Sequence, residues 1–157
     1  MNHKTCFFIG HRDAPNIIRD ELEKAIETHI VLHGVTSFVV GHYGNYDRMA
    51  AQAVISAKQH YPNITLTMLL PYHPAENPIS TPDGFDSTFY PPNMENVPKR
   101  LAIVRANRYM VDYSDYLIAY AWHPASNARE LVEYTKRKGT ICVTEIIHEK
   151  RLNVKLP

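Results

Sequence analysis

The chain has 157 residues, 45% apolar and 21% charged, and its 17 Lys and Arg against 16 Asp and Glu leave a formal charge of +1. That profile is a soluble globular one and excludes a disordered, collagen-like or coiled-coil chain. Near-neutral charge argues against nucleic acid or a membrane surface as partner, since no global basic field advertises either. No apolar run approaches the roughly 18 residues of a membrane span, and Met1–Asp13 has no signal-peptide core. Cys6 and Cys142 sit within apolar runs as inert core thiols, not as a disulfide framework. The expectation is one cytoplasmic domain over residues 1–157.

Five short apolar runs read as strands buried on both faces. They are Thr5-Cys6-Phe7-Phe8-Ile9, Ser37-Phe38-Val39-Val40, Leu66-Thr67-Met68-Leu69-Leu70, Tyr116-Leu117-Ile118-Ala119-Tyr120 and Ile141-Cys142-Val143. Between them the period becomes helical. Ile18, Leu22, Ala25, Ile26 and His29 or Ile30 trace one inward face, capped by Asp13 or Asn16 with Pro15 near the start. Asp47 precedes a second face of Met49, Ala50, Ala53, Val54 and Ala57. Pro98 opens a third helix running to about Asp112. Asn127 opens a fourth, with Ala128, Leu131, Val132 and Thr135 inward, and Lys136, Arg137, Lys138 and Gly139 close it. Strands alternating with helices predict an α/β, Rossmann-like three-layer sandwich around a mostly parallel five-stranded sheet.

Residues 71–98 hold seven of the chain's eleven prolines and no sustained period, so they read as a long loop: a lid, a binding loop or an oligomer contact. The extension 145–157 alternates weakly and suggests an edge strand.

Ligands of open α/β sheets bind outside the carboxyl ends of the strands. Three loops lie there: Gly10-His11-Arg12, Gly41-His42-Tyr43-Gly44-Asn45-Tyr46-Asp47, and Trp122-His123-Pro124-Ala125-Ser126-Asn127. Glycine at the first two strand ends implies a sharp turn or a close approach. No GxxxxGK[ST] and no GxGxxG is present, which excludes a P-loop nucleotidase. A Gly-x-x-Gly loop entering a helix can offer N–H groups to an anion, while Asp47 suits ribose hydroxyls or simply caps its helix. Arg105 and Arg108 share a helical face near Asn107 and form a possible fork for phosphate; the competing reading is a solvated face with an Arg108–Asp112 ion pair. Glu130 is a possible general acid or base, or the end of a capping box begun by Asn127. His29 and His33 have ligand spacing but no third partner, so no metal site is assigned. His11, His42 and His123 share one edge and are site candidates.

Phe8-Ile9-Gly10-His11-Arg12, Gly41 through Asp47, Leu70-Pro71, Val97 through Ile103 and Arg105 through Asp115 together resemble the YpsA-like family of the SLOG superfamily. The resemblance reaches to about Val143. Relatives include the Lonely Guy phosphoribohydrolases and the DNA-processing protein DprA, and the likeness implies a nucleotide-like ligand at the strand ends. Lonely Guy enzymes carry PGGxGTxxE after the fourth strand. Here that stretch is Pro124-Ala125-Ser126-Asn127-Ala128-Arg129-Glu130-Leu131-Val132, with neither glycine and with Val132 in the glutamate's register.

The leading expectation is therefore a nucleotide-derivative binding protein that needs no cofactor. Its site is Gly10, His11, Arg12, Gly41, Tyr43, Gly44, Asp47, Arg105, Asn107, Arg108, Trp122, Ser126 and Asn127. The alternatives are an N-glycosidase using Glu130, Asp47 or Asp115, and a DprA-like nucleic-acid or protein interaction module in which Tyr43, Tyr46, Tyr90 and Trp122 stack bases. A homodimer is expected by analogy with other small Rossmann-like domains.

Overall fold

A computed structural model describes residues 3–147. In chain order it contains β1 (Lys4–Gly10), a 3₁₀ turn (Asn16–Ile18), α1 (Arg19–Val31), β2 (Val35–Val40), α2 (Asn45–Lys58), β3 (Thr65–Leu69), β4 (Ser87–Phe89), α3 (Lys99–Asp112), β5 (Tyr116–Tyr120), α4 (Asn127–Lys138) and β6 (Cys142–Glu145). The strands form one sheet of order β4-β3-β2-β1-β5-β6. Every neighbouring pair runs parallel.

Alternation along β1 builds both cores. Cys6 and Phe8 pack with α1 and α2 on one face of the sheet, where Leu22, Ile26, Met49 and Val54 are buried. Phe7 and Ile9 pack on the other face against Ala102, Ala106 and Met110 of α3 and Leu131 and Val132 of α4. Side chains of successive strand residues point to opposite faces, so a doubly covered strand must be apolar at consecutive positions. The helix faces expected for α1 and α4 are the buried ones. Among the described residues no helix is long and apolar enough to cross a membrane.

The sheet has six strands where five are expected. The extra strand, β4, lies inside the proline-rich segment and pairs through Thr67↔Ser87, Met68↔Thr88 and Leu69↔Phe89. Asp86 anchors it: its carboxylate accepts from the Leu66 amide at 2.8 Å and from Lys58 Nζ at 2.7 Å. These are contacts distant in sequence, and three residues among prolines carry no period of their own.

Three local expectations also change. Cys142 is exposed on the edge strand β6, whereas Cys6 is buried, because an edge strand is not covered on every side. Neither Asp13 nor Asn16 caps α1; the chain enters it through Pro15 and the 3₁₀ turn without a side-chain cap. Finally, Ser126, not Asn127, caps α4, accepting from the Arg129 amide at 3.0 Å. That one-residue change puts Arg129 where a capping box needs Glu130, so no such box forms. The suggested edge strand of the extension lies in part beyond the described residues, which end at Ile147 just after β6.

Candidate functional site

The chain runs outward from β1 through β2, β3 and β4, then returns so that β5 lies on the other side of β1. The carboxyl ends of β1 and β5 therefore border the crevice where the strand order reverses, the usual ligand position in such sheets. A cavity of about 270 Å³ opens there. It is lined by Gly10, His11 and Arg12 after β1, Gly41, Tyr43 and Asp47 after β2, Asn107 of α3, and Ser126, Asn127 and Ala128 at the start of α4. Leu69, Pro71, Ile103, Val104 and Leu131 supply an apolar side.

The loop after β1 is held from both sides. The His11 amide donates to the Tyr120 carbonyl at 3.2 Å, and the Asn45 amide donates to the Arg12 carbonyl at 2.8 Å. Asn45 Nδ2 reaches further, to the Ala14 carbonyl at 2.7 Å. Gly10 is required because the Tyr46 ring lies where a Cβ would stand. Tyr46 is itself fixed, with its hydroxyl donating to the Ile118 carbonyl at 2.8 Å. Gly44 abuts the Arg12 backbone, where a Cβ would fall 2.6 Å from Arg12 Cα. It thus shapes the cavity without lining it.

Asp47 is the third residue of α2, beyond the capping position, which Gly44 occupies without a side-chain bond. Its Oδ2 accepts from the Tyr43 amide at 3.2 Å. Burial pushes its carboxyl up to about 6, while the Tyr43 amide and the charge of Arg12 pull it down. The guanidinium of Arg12 lies 6.0 Å from the Tyr43 ring centre. A cation, a carboxyl raised to about 6 and several amide and hydroxyl groups thus share one small cavity with an apolar wall.

The histidines divide into two groups. His11 lines the cavity, and its Nε2 accepts from the His123 amide at 3.2 Å, tying the β1 loop to the β5 loop. Burial above all holds His11 below its ordinary value. His42 packs against Tyr43 with ring centres 4.2 Å apart, and burial lowers its value too. His29 and His33 lie elsewhere, packed around Tyr116, with His29 Nδ1 donating to the Ala25 carbonyl at 2.6 Å. Among the described residues no group of three His, Cys, Asp or Glu is placed to hold a metal ion.

Other candidates stand apart from the cavity. Arg105 and Arg108 are exposed, and the Arg108 guanidinium lies 3.7 Å from the centre of the Tyr134 ring. The buried Ala102, Ala106 and Met110 set the inward face of α3, which turns Ile103 and Asn107 toward the cavity. Asp112 pairs with Lys138 at 2.7 Å, not with Arg108 as the competing reading has it, and also accepts from Tyr134. Glu130 is exposed on α4 outside the cavity lining. Asp115 is at the opposite edge, where its Oδ2 accepts from the Thr5 amide at 2.9 Å and ties β5 to β1. Trp122 is 42% exposed beside His11, with ring centres 5.7 Å apart. The apolar wall was legible only as core: Ile103, three residues before Ala106, follows the same helical period as the buried positions.

No protein-family model matches the chain, and no curated protein matches it. Among solved structures, it is similar to DNA processing protein A from Streptococcus pneumoniae, with a TM-score of 0.66 and 16% identity over 91% of this chain. The alignment covers 50% of that protein, so this chain spans about half its length. DNA processing protein A from Helicobacter pylori, studied for its single-stranded DNA binding mode, aligns at a TM-score of 0.53 and 14% identity over 95% of this chain and 78% of that one. These likenesses, with the strand order, define a Rossmann-like fold of the kind found in DNA processing protein A.

Proposed function

We infer that the protein binds a nucleotide or nucleotide derivative at the carboxyl edge of its sheet, and that it belongs to the YpsA-like branch of the SLOG superfamily. The observation that carries this reading is the cavity at the β1/β5 crevice, where Arg12, Asp47, Asn107, Ser126 and Asn127 face one space. Arg12 supplies the charge for an anionic group. Asp47 and the amide side chains offer acceptors and donors for sugar hydroxyls. The apolar side from Leu69, Ile103 and Leu131 fits the general character of small-molecule sites.

The test is a thermal-shift panel of mononucleotides, ADP-ribose species and sugar phosphates on wild type and Arg12→Ala. A ligand at 100 times its dissociation constant adds about 2.7 kcal/mol of stability. Arg12 is the informative position because it lines the cavity, whereas Arg108 packs on Tyr134. A shift in wild type that is lost in Arg12→Ala is the expected result; a flat panel overturns the reading.

One observation favours a second reading, nucleoside monophosphate N-glycosidase activity. Asp47 lines the cavity with its carboxyl raised to about 6, which suits proton transfer or steadying of an oxocarbenium-like sugar. Release of free base that is abolished by Asp47→Asn supports this; no release with enzyme in stoichiometric amount removes it. The H. pylori neighbour's DNA binding belongs to that protein. For this chain, at +1 formal charge, the expected gel shift with single-stranded DNA shows no salt-sensitive complex.

A further inference from the structure

We propose that the protein associates head to tail, the outward face of α1 on one copy docking against the outward face of α3 on the next. The contact is independent of what the cavity binds.

Exposed apolar side chains are unevenly placed on this molecule. Among the described residues nine large ones are exposed, and six of them belong to these two helices or their ends. Ile17 precedes α1, and Val31 and Leu32 finish it, the last 74% exposed. Leu101 and Val104 lie on α3, and Tyr113, 69% exposed, follows its last turn. Apolar residues scattered singly over a surface are ordinary; groups gathered on one helix and set among charges mark a contact surface.

Charge is segregated in the same way, although the whole chain stands at only +1. α1 carries four carboxylates against two cations. Both cations are already engaged, Arg19 with Glu23 and Lys24 with Glu21. Among the described residues this leaves Asp20 and Glu27 with no cation at ion-pair distance, Glu27 accepting from the Tyr61 hydroxyl. α3 carries four cations against one carboxylate, Asp112, which Lys138 holds. Among the described residues no carboxylate stands at that distance from Lys99, Arg100 or Arg105.

Helical spacing gathers these groups into one strip on each helix. Ile17, Asp20, Glu27 and Val31 follow the outward side of α1, and Leu101, Arg105 and Arg108 that of α3. With 13 and 14 residues, the two helices have nearly equal length, about 20 Å each. α3 against α3 would set cations on cations, and α1 against α1 carboxylates on carboxylates. α1 against α3 pairs opposite charges around apolar residues. The two helices cover opposite faces of the sheet, so a two-fold pair cannot make this contact twice. Each docked copy keeps one face open, and a heterologous contact of that kind extends into a ring or a filament.

The test is sedimentation velocity on wild type and two double variants. One carries Asp20→Lys and Glu27→Lys on α1; the other carries Leu101→Gln and Arg105→Gln on α3. All four positions are exposed and outside the cavity lining, and thermal melting equal to wild type verifies the fold. The wild-type mass is expected to rise beyond the dimer as protein concentration increases. Raising salt from about 0.1 M to about 1 M shortens the screening length from about 10 Å to about 3 Å and should weaken association about tenfold or more. Each variant alone stays monomeric, and their equimolar mixture stops at a one-to-one dimer, because one complementary pair of intact faces remains. Where a double variant melts early, Glu27→Lys and Arg105→Gln singly repeat the mixing experiment. A wild type that stays monomeric at every concentration overturns the proposal. So does a dimer that either variant leaves intact, which is the mark of a symmetric contact.

Discussion

Asp47 and Gly10 show how single positions trade packing against chemistry. The Asp47 Oδ2 lies 2.9 Å from where a Cβ on Gly41 would stand, so the carboxyl is packed tightly against the β2 loop. A native value of about 6 exceeds the ordinary 3.8, so the folded chain holds that proton more firmly than the unfolded one does. The stabilising contribution is complete below pH about 4 and is lost as pH rises through about 6. Asp47→Asn should therefore gain stability on the order of 2 kcal/mol at pH 8 and nothing near pH 4. Urea denaturation at the two pH values checks this, and an equal difference at both contradicts it. Such a residue, unfavourable for stability at neutral pH, is what a site that needs a titratable group would keep. Gly10 has the opposite character. A methyl group there collides with the Tyr46 ring, whose hydroxyl is tied to Ile118, so the ring has little room to yield. Gly10→Ala should cost about 1–3 kcal/mol, read as a lower urea midpoint.

At the scale of elements, Arg129 joins α4 to the sheet edge. It donates to the Ala121 carbonyl at 3.3 Å and to Glu145 of β6 at 2.7 Å, and it also pairs with Glu133 one turn along the helix. Lys136 adds a second cation on Glu145. Among the described residues, β6 is a four-residue strand that pairs with β5 alone, so these side chains supply much of its anchorage. Arg129→Met should speed amide hydrogen exchange across Cys142–Glu145 while leaving the β1 amides unchanged; equal protection in both variants contradicts the role. The same elements show what the sequence makes legible. The positions of α1 and α4 follow from apolar residues three and four apart, and the buried set matches that pattern. Arg105 and Arg108 also sit three apart, but the period says which residues share a face, not which way the face points. Only the packing of Ala102, Ala106 and Met110 on the sheet turns Asn107 inward and leaves both arginines exposed. Asp115 escapes for a related reason: its neighbourhood depends on strand order, which sets it beside Thr5 at the amino edge.

At the scale of the whole molecule, parallel strands bring the loops after β1, β2 and β5 to one edge, whatever their separation in the chain. That is why three of the loops chosen from sequence contribute to one cavity although its residues span Phe8 to Leu131. What sequence does not reveal is the extra strand β4, held by Asp86 through bonds to Leu66 and Lys58, and the apolar wall, whose members look like ordinary core. The central claim, a nucleotide site at the carboxyl edge, is tested most directly by following backbone amide resonances of isotope-labelled protein during titration with ribonucleoside monophosphates. The largest shifts are expected on residues 10–12, 41–47 and 126–128, with Thr5 and Asp115 at the opposite edge unmoved. Largest shifts at that opposite edge, or no shifts with any of the four nucleotides, would contradict it.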